Sequence, residues 1–514
     1  MPQKDCFAVI IGFLILWSIT AIPILCSPLG DYPVVDASWH NAWAGEVAGG
    51  DIFIYAPYFR APLYPVVLGF VYMFTGGSLL SGILLSLFFS VFSVHLVHRI
   101  VYRRAGRIPS LAAASIWMLY GVNLFYSTTL LITPMYICLL LLSFFLLDRE
   151  KPHRLGWLFL GLAAITRPGA VLLFPLVFIL YRKAWRSAWL LTVPVILVWV
   201  VNLVNGDGAT MISSQGGINL YIGSGPEADG FTAFAPSGTG VPSDSLPYID
   251  NVWAASYAPF EDDVSPSGVS SWWVRKTADH IIAHPVDFLA LTGKKLFYLI
   301  SPVAIPSNYD AYYFSRYSPV LRILTGSPGF PVSGLLIWLI LPGALFAGRF
   351  AGLEKNVLLW IVCLAVGILP FFVTARFRLP VIPFTVMLLV PRAMRNIGRS
   401  LLLAPAGVVA GIGLALVTVD TVKIGGVNMA FHDGVAHFQQ GYESEAELLL
   451  LKAVEVAFSR DDGIDLNGVD ALYNLGIICV RRRDTESARM YWEMALERDP
   501  GYTPAYEALM GLTR

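Results

Sequence analysis

From Phe7 to Cys26 the chain runs without a single charged side chain, and stretches of similar apolarity recur as far as residue 419. Coiled as a helix at about 1.5 Å per residue, such a run matches the ~30 Å hydrocarbon core of a bilayer. Water does not solvate a series of these segments. The composition agrees: of 514 residues, 56% are hydrophobic and only 14% charged, whereas soluble domains carry about 25% charged residues. A soluble enzyme, a disordered chain and a collagen-like fibre are all excluded. The predicted fold class is an all-α polytopic membrane protein of about 10–11 spans with outer-face loops and surface helices. A soluble helical repeat domain follows it.

The first apolar run invites a signal-peptide reading, since Lys4 precedes it. It is longer than a typical signal core, and bulky Leu25 in Ile24-Leu25-Cys26-Ser27 makes a poor cleavage or lipidation site. A retained first span is expected. Lys+Arg and Asp+Glu both number 35, so the basic excess of a nucleic-acid binder is missing and no nucleic-acid partner is predicted. Cys6, Cys26, Cys138, Cys363 and Cys479 are scattered and give neither a disulfide framework nor a zinc spacing.

Basic residues favour the cytoplasmic side of a membrane. They cluster at Arg99/Arg103/Arg104/Arg107, Arg149/Lys151/Arg154, Arg182/Lys183/Arg186, Arg349/Lys355 and Arg392/Arg395/Arg399. Segment 204–293 instead holds ten acids against Arg275 and Lys276. With the basic clusters inside and the acidic segment outside, residues 79–98 cross inward, 109–127 leave and 130–147 return. Residues 155–181 leave and come back as two short arms turning at Arg167-Pro168-Gly169. Residues 187–203 leave again, and the last spans are roughly 333–348, 356–374, 379–391 and 401–419. Stretch 62–76 is too short for a full crossing and reads as an outer-face or re-entrant helix. This path places loop 27–61, Arg167, loop 204–332 and the Arg376-Phe377-Arg378 turn on one face, with the C-terminus outside.

Beyond residue 420 the composition becomes that of soluble helices. In 469–500, Leu475, Gly476, Ala488, Trp492, Ala495 and Pro500 fit the 34-residue tetratricopeptide pattern. Gly434, Ala446 and Ala453 repeat it loosely, with an insertion around 459–468, and 503–514 begins a third unit with Tyr506 and Leu509. The predicted domains are 1–420 and 421–514. Residues 430–514 are a candidate surface for a protein partner or acceptor, or a short solenoid packed on the first domain.

Residues 31–78 carry the densest chemistry. They contain Asp36-Ala37-Ser38-Trp39-His40, Gly49-Gly50-Asp51, Phe59-Arg60-Ala61-Pro62-Leu63-Tyr64-Pro65 and Gly76-Gly77-Ser78. Three further stretches are Gly161-Leu162-Ala163-Ala164-Ile165-Thr166-Arg167-Pro168, Gly216-Gly217-Ile218-Asn219-Leu220-Tyr221-Ile222-Gly223 and Arg376-Phe377-Arg378-Leu379-Pro380. In this order, over most of residues 1–400, they resemble the family 39-like glycosyltransferases of the GT-C superfold, a group that includes protein O-mannosyltransferases and lipid A aminoarabinose transferases. The resemblance implies inverting transfer of a sugar from a polyprenyl-phosphate donor to a hydroxyl of a protein, lipid or glycan acceptor. It also implies a bacterial inner-membrane location with a periplasmic active face.

An acceptor hydroxyl is a weak nucleophile that a carboxylate base can activate, and Asp36 occupies the position of the family's catalytic acid. Guanidiniums stabilise a departing phosphate, being always charged and able to bind it through two parallel hydrogen bonds. Arg376 and Arg378 are the first candidates, then Arg167, with Lys294 and Lys295 more distant. Asp31 is the alternative base, and His40, Arg60 and Tyr64 are further candidates. Plainer readings stand beside these: Asp36 as a solvated loop acid, Arg376 and Arg378 as headgroup anchors, Arg167 snorkelling to water, His40 an ordinary loop histidine. Asp244, Asp250, Glu261, Asp262 and Asp263 lack the spacing of a calcium loop and read as solvation. Trp272 and Trp273 suit a membrane interface as well as a sugar site. Ala37 follows Asp36, and Thr133 precedes Pro134, where many family members have acids. No cofactor and no essential metal are therefore predicted, although a divalent ion is left open. A transporter or lipid flippase and a non-catalytic scaffold are the rival functions.

Overall fold

Leucine, isoleucine, valine and phenylalanine fill the apolar runs, and the computed structural model coils them into helices separated by proline and glycine breaks. It describes residues 3–233, 251–261, 264–350, 352–424, 428–458 and 467–512. Among these every regular element is a helix, with one isolated bridge between Ser327 and Phe330 and no strand. Asp244, Asp250, Asp262 and Asp263 lie outside the described residues.

Among the described residues four helices are long and apolar enough to cross a membrane: Lys4–Leu25, Leu79–Ala105, Ala375–Arg395 and Ile397–Thr418. The other expected spans are shorter. Thr133–Leu147, Leu155–Thr166, Trp189–Val204 and Val332–Leu345 all have fewer residues than the ~20 a straight crossing takes. The expected span 109–127 is broken into Arg107–Leu119 and Gly121–Tyr126 by an extended Tyr120. Gly121 sits where a Cβ would come within 2.9 Å of the Leu324 carbonyl carbon, and its amide donates to Ser333 Oγ. Packing against 324–333 therefore ends the helix where hydropathy alone continues it. The turn at Arg167-Pro168-Gly169 separates the two arms Leu155–Thr166 and Leu173–Leu180. Stretch 62–76 is the helix Leu63–Thr75, packed on Asp36–Ala48.

Large aromatic side chains lock the bundle. Trp43, Trp117, Trp157 and Trp360 are fully buried, and Trp360 stacks on Phe384 with Phe144 edge-on to both at 5.4 and 5.6 Å. The outer surface is apolar too: Leu401, Leu402, Val409 and Val417 on the Ile397–Thr418 helix are all exposed. At one end the five basic segments gather. Asp148 meets Arg104 at 3.5 Å, Asn356 at 2.7 Å and the Tyr181 hydroxyl at 3.4 Å. Nearby, Glu354 pairs with Arg392 at 2.6 Å and with Arg395, and Arg107 binds Asp5 with two bonds of 2.8 Å.

The C-terminal helices Met429–Gln439 and Glu443–Phe458 form one hairpin, and Gly468–Arg481 and Thr485–Arg498 a second, with Thr503–Leu512 stacked on it. Gly476 faces Trp492 so closely that a Cβ would lie 2.2 Å from the indole nitrogen. This unit is fastened to the bundle through Asp433, whose carboxylate is fully buried. It accepts from Tyr313 at 2.8 Å and Tyr317 at 2.6 Å, with Arg316 at 3.4 Å. Gln440 reaches the Pro28 carbonyl at 3.2 Å. Hydrogen bonds to a charged group contribute about 1.5–3 kcal/mol each. Asp433→Ala is accordingly expected to loosen this junction. Limited proteolysis of the full chain should then release a C-terminal fragment several-fold faster than from wild type; equal rates would show that the carboxylate does not fasten the unit.

Candidate functional site: a carboxylate shared by two arginines

The polypeptide enters the Asp36–Ala48 helix through Val35, whose φ of 47° and ψ of −113° lie outside the regions a β-branched residue favours. Strain of this kind persists only where neighbours enforce it. Here the Tyr309 hydroxyl accepts the Val34 amide at 3.1 Å. Asp36 follows in the first helical turn, where the helix dipole favours a negative charge.

The Asp36 carboxylate is buried and fully engaged. Arg60 Nη1 donates to Oδ1 at 2.5 Å and Arg376 Nη1 to Oδ2 at 2.5 Å. Burial by itself would raise the acid's pKa, but the charges of Arg60 and Arg376 outweigh it and hold Asp36 well below the usual carboxylate range. Segment 58–60 is clamped by the Ser214 amide on the Tyr58 carbonyl and the Gln215 amide on the Phe59 carbonyl, both at 3.0 Å. The Tyr58 amide donates to Asn202 at 2.9 Å. Arg376 lies on the short helix Ala375–Arg378, anchored by the Ala375 amide on the Ile305 carbonyl at 2.8 Å. Three stretches of chain, bearing Asp36, Arg60 and Arg376, thus meet at one carboxylate.

Arg167 completes the group differently. Its guanidinium lies 4.2 Å from the centre of the Phe377 ring and 5.5 Å from that of Tyr136. Among the described residues it makes no hydrogen bond or ion pair. Burial and the neighbouring charge of Arg376 lower its pKa to about 10, so it stays protonated at neutral pH. Asp36 is divided between Arg60 and Arg376, which leaves Arg167 a cation without a carboxylate.

Arg378, also expected at the phosphate, points elsewhere. Its terminal nitrogens donate to the Tyr298 carbonyl at 2.9 Å, the Ser301 carbonyl at 2.5 Å and the Val303 carbonyl. Those carbonyls border or belong to a non-helical segment, 301–309, in which every residue is buried. Buried backbone must find partners, and Arg378 supplies them. Lys295 is fully buried, donating to the Leu369 carbonyl at 2.8 Å and Ser224 Oγ at 3.3 Å, and burial lowers its pKa to about 8. Lys294 is exposed on the same helix, Pro285–Ile300. Asp31 is exposed at the end of the 3-10 turn Pro28–Asp31 and has no bond to the cluster. His40 is buried one turn after Asp36, with Nδ1 3.1 Å from the Leu130 carbonyl. Burial is the main cause that lowers its pKa to about 4, leaving it neutral, and Tyr64 packs edge-on against it at 5.2 Å.

Sequence reading overlooked Tyr309, Asn308, Thr374 and Asp310. The signal was the polar, proline-flanked stretch Pro306-Ser307-Asn308-Tyr309-Asp310 between apolar segments. Among the described residues Asn308 Nδ2, Thr374 Oγ1, Arg376 Nε and Thr133 Oγ1 are buried without a protein hydrogen-bond partner, a pattern that an ordered water, an ion or a ligand explains in folded proteins. Burial pushes the Asp310 carboxyl up to about 6. Among the described residues no group of three or more His, Cys, Asp or Glu is placed to hold a metal ion. Of the two tryptophans, Trp273 is buried and bonded to the Ser256 carbonyl at 2.9 Å, while Trp272 lies under Lys276 at 4.7 Å. Comparison of the chain with protein-family models, curated proteins and solved structures finds no match.

Proposed function

We propose that this chain is a polytopic membrane glycosyltransferase of the GT-C type. It would move a sugar from a polyprenyl-phosphate carrier to an acceptor hydroxyl on the non-cytoplasmic face, with inversion. The observation that carries the reading is the Asp36–Arg376 pair, which joins residues 340 positions apart beside the unpaired Arg167. A carboxylate among guanidiniums at one end of an apolar bundle suits a substrate that is itself an anionic head on a lipid tail.

The electrostatics refine the expected role of Asp36. With an arginine on each oxygen it is a poor proton acceptor, since an effective base has a pKa near the working pH. The donor phosphate competes for the same guanidiniums. As it draws Arg376 and Arg167 to itself, one Asp36 oxygen is released and its proton affinity rises. The acceptor oxygen then attacks the anomeric carbon from the face opposite the phosphate. The bond between that carbon and the phosphate oxygen breaks, the acceptor proton passes to Asp36, and the polyprenyl phosphate leaves against the two guanidiniums.

The same reading makes the C-terminal hairpins tetratricopeptide units offered to a protein partner or acceptor on the active face. It places the basic end around Asp148 in the cytoplasm. Single cysteines replacing the exposed Asp31 and Glu445 should react with a membrane-impermeant maleimide from one side, and a cysteine replacing Lys151 from the other. Reaction of positions 31 and 445 from opposite sides would break the arrangement. The function is tested by incubating membranes containing the protein with radiolabelled polyprenyl-phosphate sugars. Label should pass to a macromolecule only when the chain is present, and no transfer from any such donor would reject the assignment.

A further inference from the structure

A cavity of about 510 Å³ lies apart from the ion cluster, between the arms at 168–180 and 189–204, loop 209–214 and the Pro266–Ala283 helix. Phe174, Leu191 and Val195 supply its apolar lining, and Ser213, Ser214 and Ser271 supply hydroxyls. No acid, lysine, arginine or histidine lines it. Ser214 is only 6% exposed, and its hydroxyl has no hydrogen-bond partner. Ser213 and Ser271 likewise make no side-chain hydrogen bond among the described residues. Among its lining residues, Val171 and Met211 are exposed.

These features select one kind of occupant. A phosphate would find no cation, and a bare hydrocarbon chain would leave the buried Ser214 hydroxyl unpaired. A sugar ring has alternating hydroxyls for the serines and a C–H face for Phe174, and such mixed pockets with a few placed polar groups are typical of small-ligand sites. The exposed apolar rim favours arrival from a bilayer rather than from water. We propose that this cavity binds the uncharged sugar head of a membrane glycolipid, whose hydrocarbon chain leaves across the rim. The assignment goes beyond the transfer reading and does not depend on it. The cavity shares chain segments with the ion cluster: the Ser214 amide clamps the segment bearing Arg60, and Val171 follows Arg167 by four residues.

The test uses the full chain in phosphatidylcholine nanodiscs and an alkyl glucoside carrying a diazirine near the sugar. A diazirine fatty alcohol and a diazirine phosphatidylglycerol serve as comparison probes. The glucoside should label peptides spanning 209–214 and 266–283 at least fivefold more than either comparison probe. Ser214→Leu and, separately, Ser271→Trp at an exposed position should each cut that labelling at least fivefold. Equal labelling by all three probes, or labelling that survives both substitutions in folded protein, overturns the proposal. Loss of labelling with millimolar free glucose would show that a soluble sugar suffices, and overturns the glycolipid assignment.

Discussion

Asp36→Asn is expected to abolish sugar transfer and, at the same time, to lower the stability of the fold. The first effect follows from losing the carboxylate that Arg60 and Arg376 share, where a positioned base contributes about 10²–10⁴ in rate. The second follows from the geometry. Asn keeps the shape but not the charge, so Arg376, held at 2.5 Å in the native protein, loses its carboxylate partner in a buried setting. Removing one partner of a buried pair costs roughly 3–5 kcal/mol because the other charge is left uncompensated. The two effects separate in the double variant Asp36→Asn/Arg376→Gln. Taking away one stranded cation should restore part of the stability without restoring activity. Folded Asp36→Asn protein that transfers sugar at a rate near wild type would remove this residue from the chemistry.

The same pair sets a pH dependence. Asp36 is depressed in the folded state, so the stability it contributes is present above the ordinary carboxylate pKa. That stability is lost progressively as pH falls from there through the lower folded value. Between about pH 5 and 8 the wild type should therefore show no stability change from this group. Arg376→Gln removes one of the guanidiniums that hold the value down, so the acid loss should be smaller than in wild type and complete at a higher pH. Thermal unfolding of the two proteins from neutral pH down through the carboxylate range reads the difference.

How far the site was legible depended on what each side chain does with its neighbours. Charge placement was legible: the rule that segregates basic segments from acidic ones also predicted that Asp36, Arg167 and Arg376 share an end of the molecule, and the structure brings them together. Arg378 shows the limit. Its sequence neighbourhood is that of Arg376, two residues away, yet its nitrogens serve the backbone of 298–303. Nothing in the sequence says that 301–309 is a buried loop needing such a partner, because its burial is created by elements far along the chain. Lys295 is similar: it reads as half of a surface pair with Lys294, but the twist of one helical residue turns it wholly inward. Span lengths failed for a related reason. Hydropathy records how apolar a run is and not where packing bends it, so the break at Tyr120-Gly121 was invisible.

Arg167→Gln offers the cleanest separation of chemistry from architecture. Because its guanidinium has no hydrogen bond or ion pair among the described residues, removal leaves no buried acid uncompensated. What is lost in the resting protein is the contact with Phe377 and Tyr136, worth about 0.5–2 kcal/mol. If the donor phosphate is its partner, transfer should fall by about 10²–10³, the usual consequence of deleting one group that stabilises developing negative charge. Arg167→Lys keeps the charge but not the planar fork, and should recover only part of the activity. The contrast with Arg378→Gln matters, since that change should cost stability first, by stranding carbonyls in a buried loop. A protein in which Arg167→Gln leaves both donor KM and kcat unchanged would make this arginine an anchor on two aromatic rings. The phosphate would then have to be held by Arg60 and Arg376 alone, the same two groups that neutralise Asp36, and the release of the base by the incoming donor would lose its driving force.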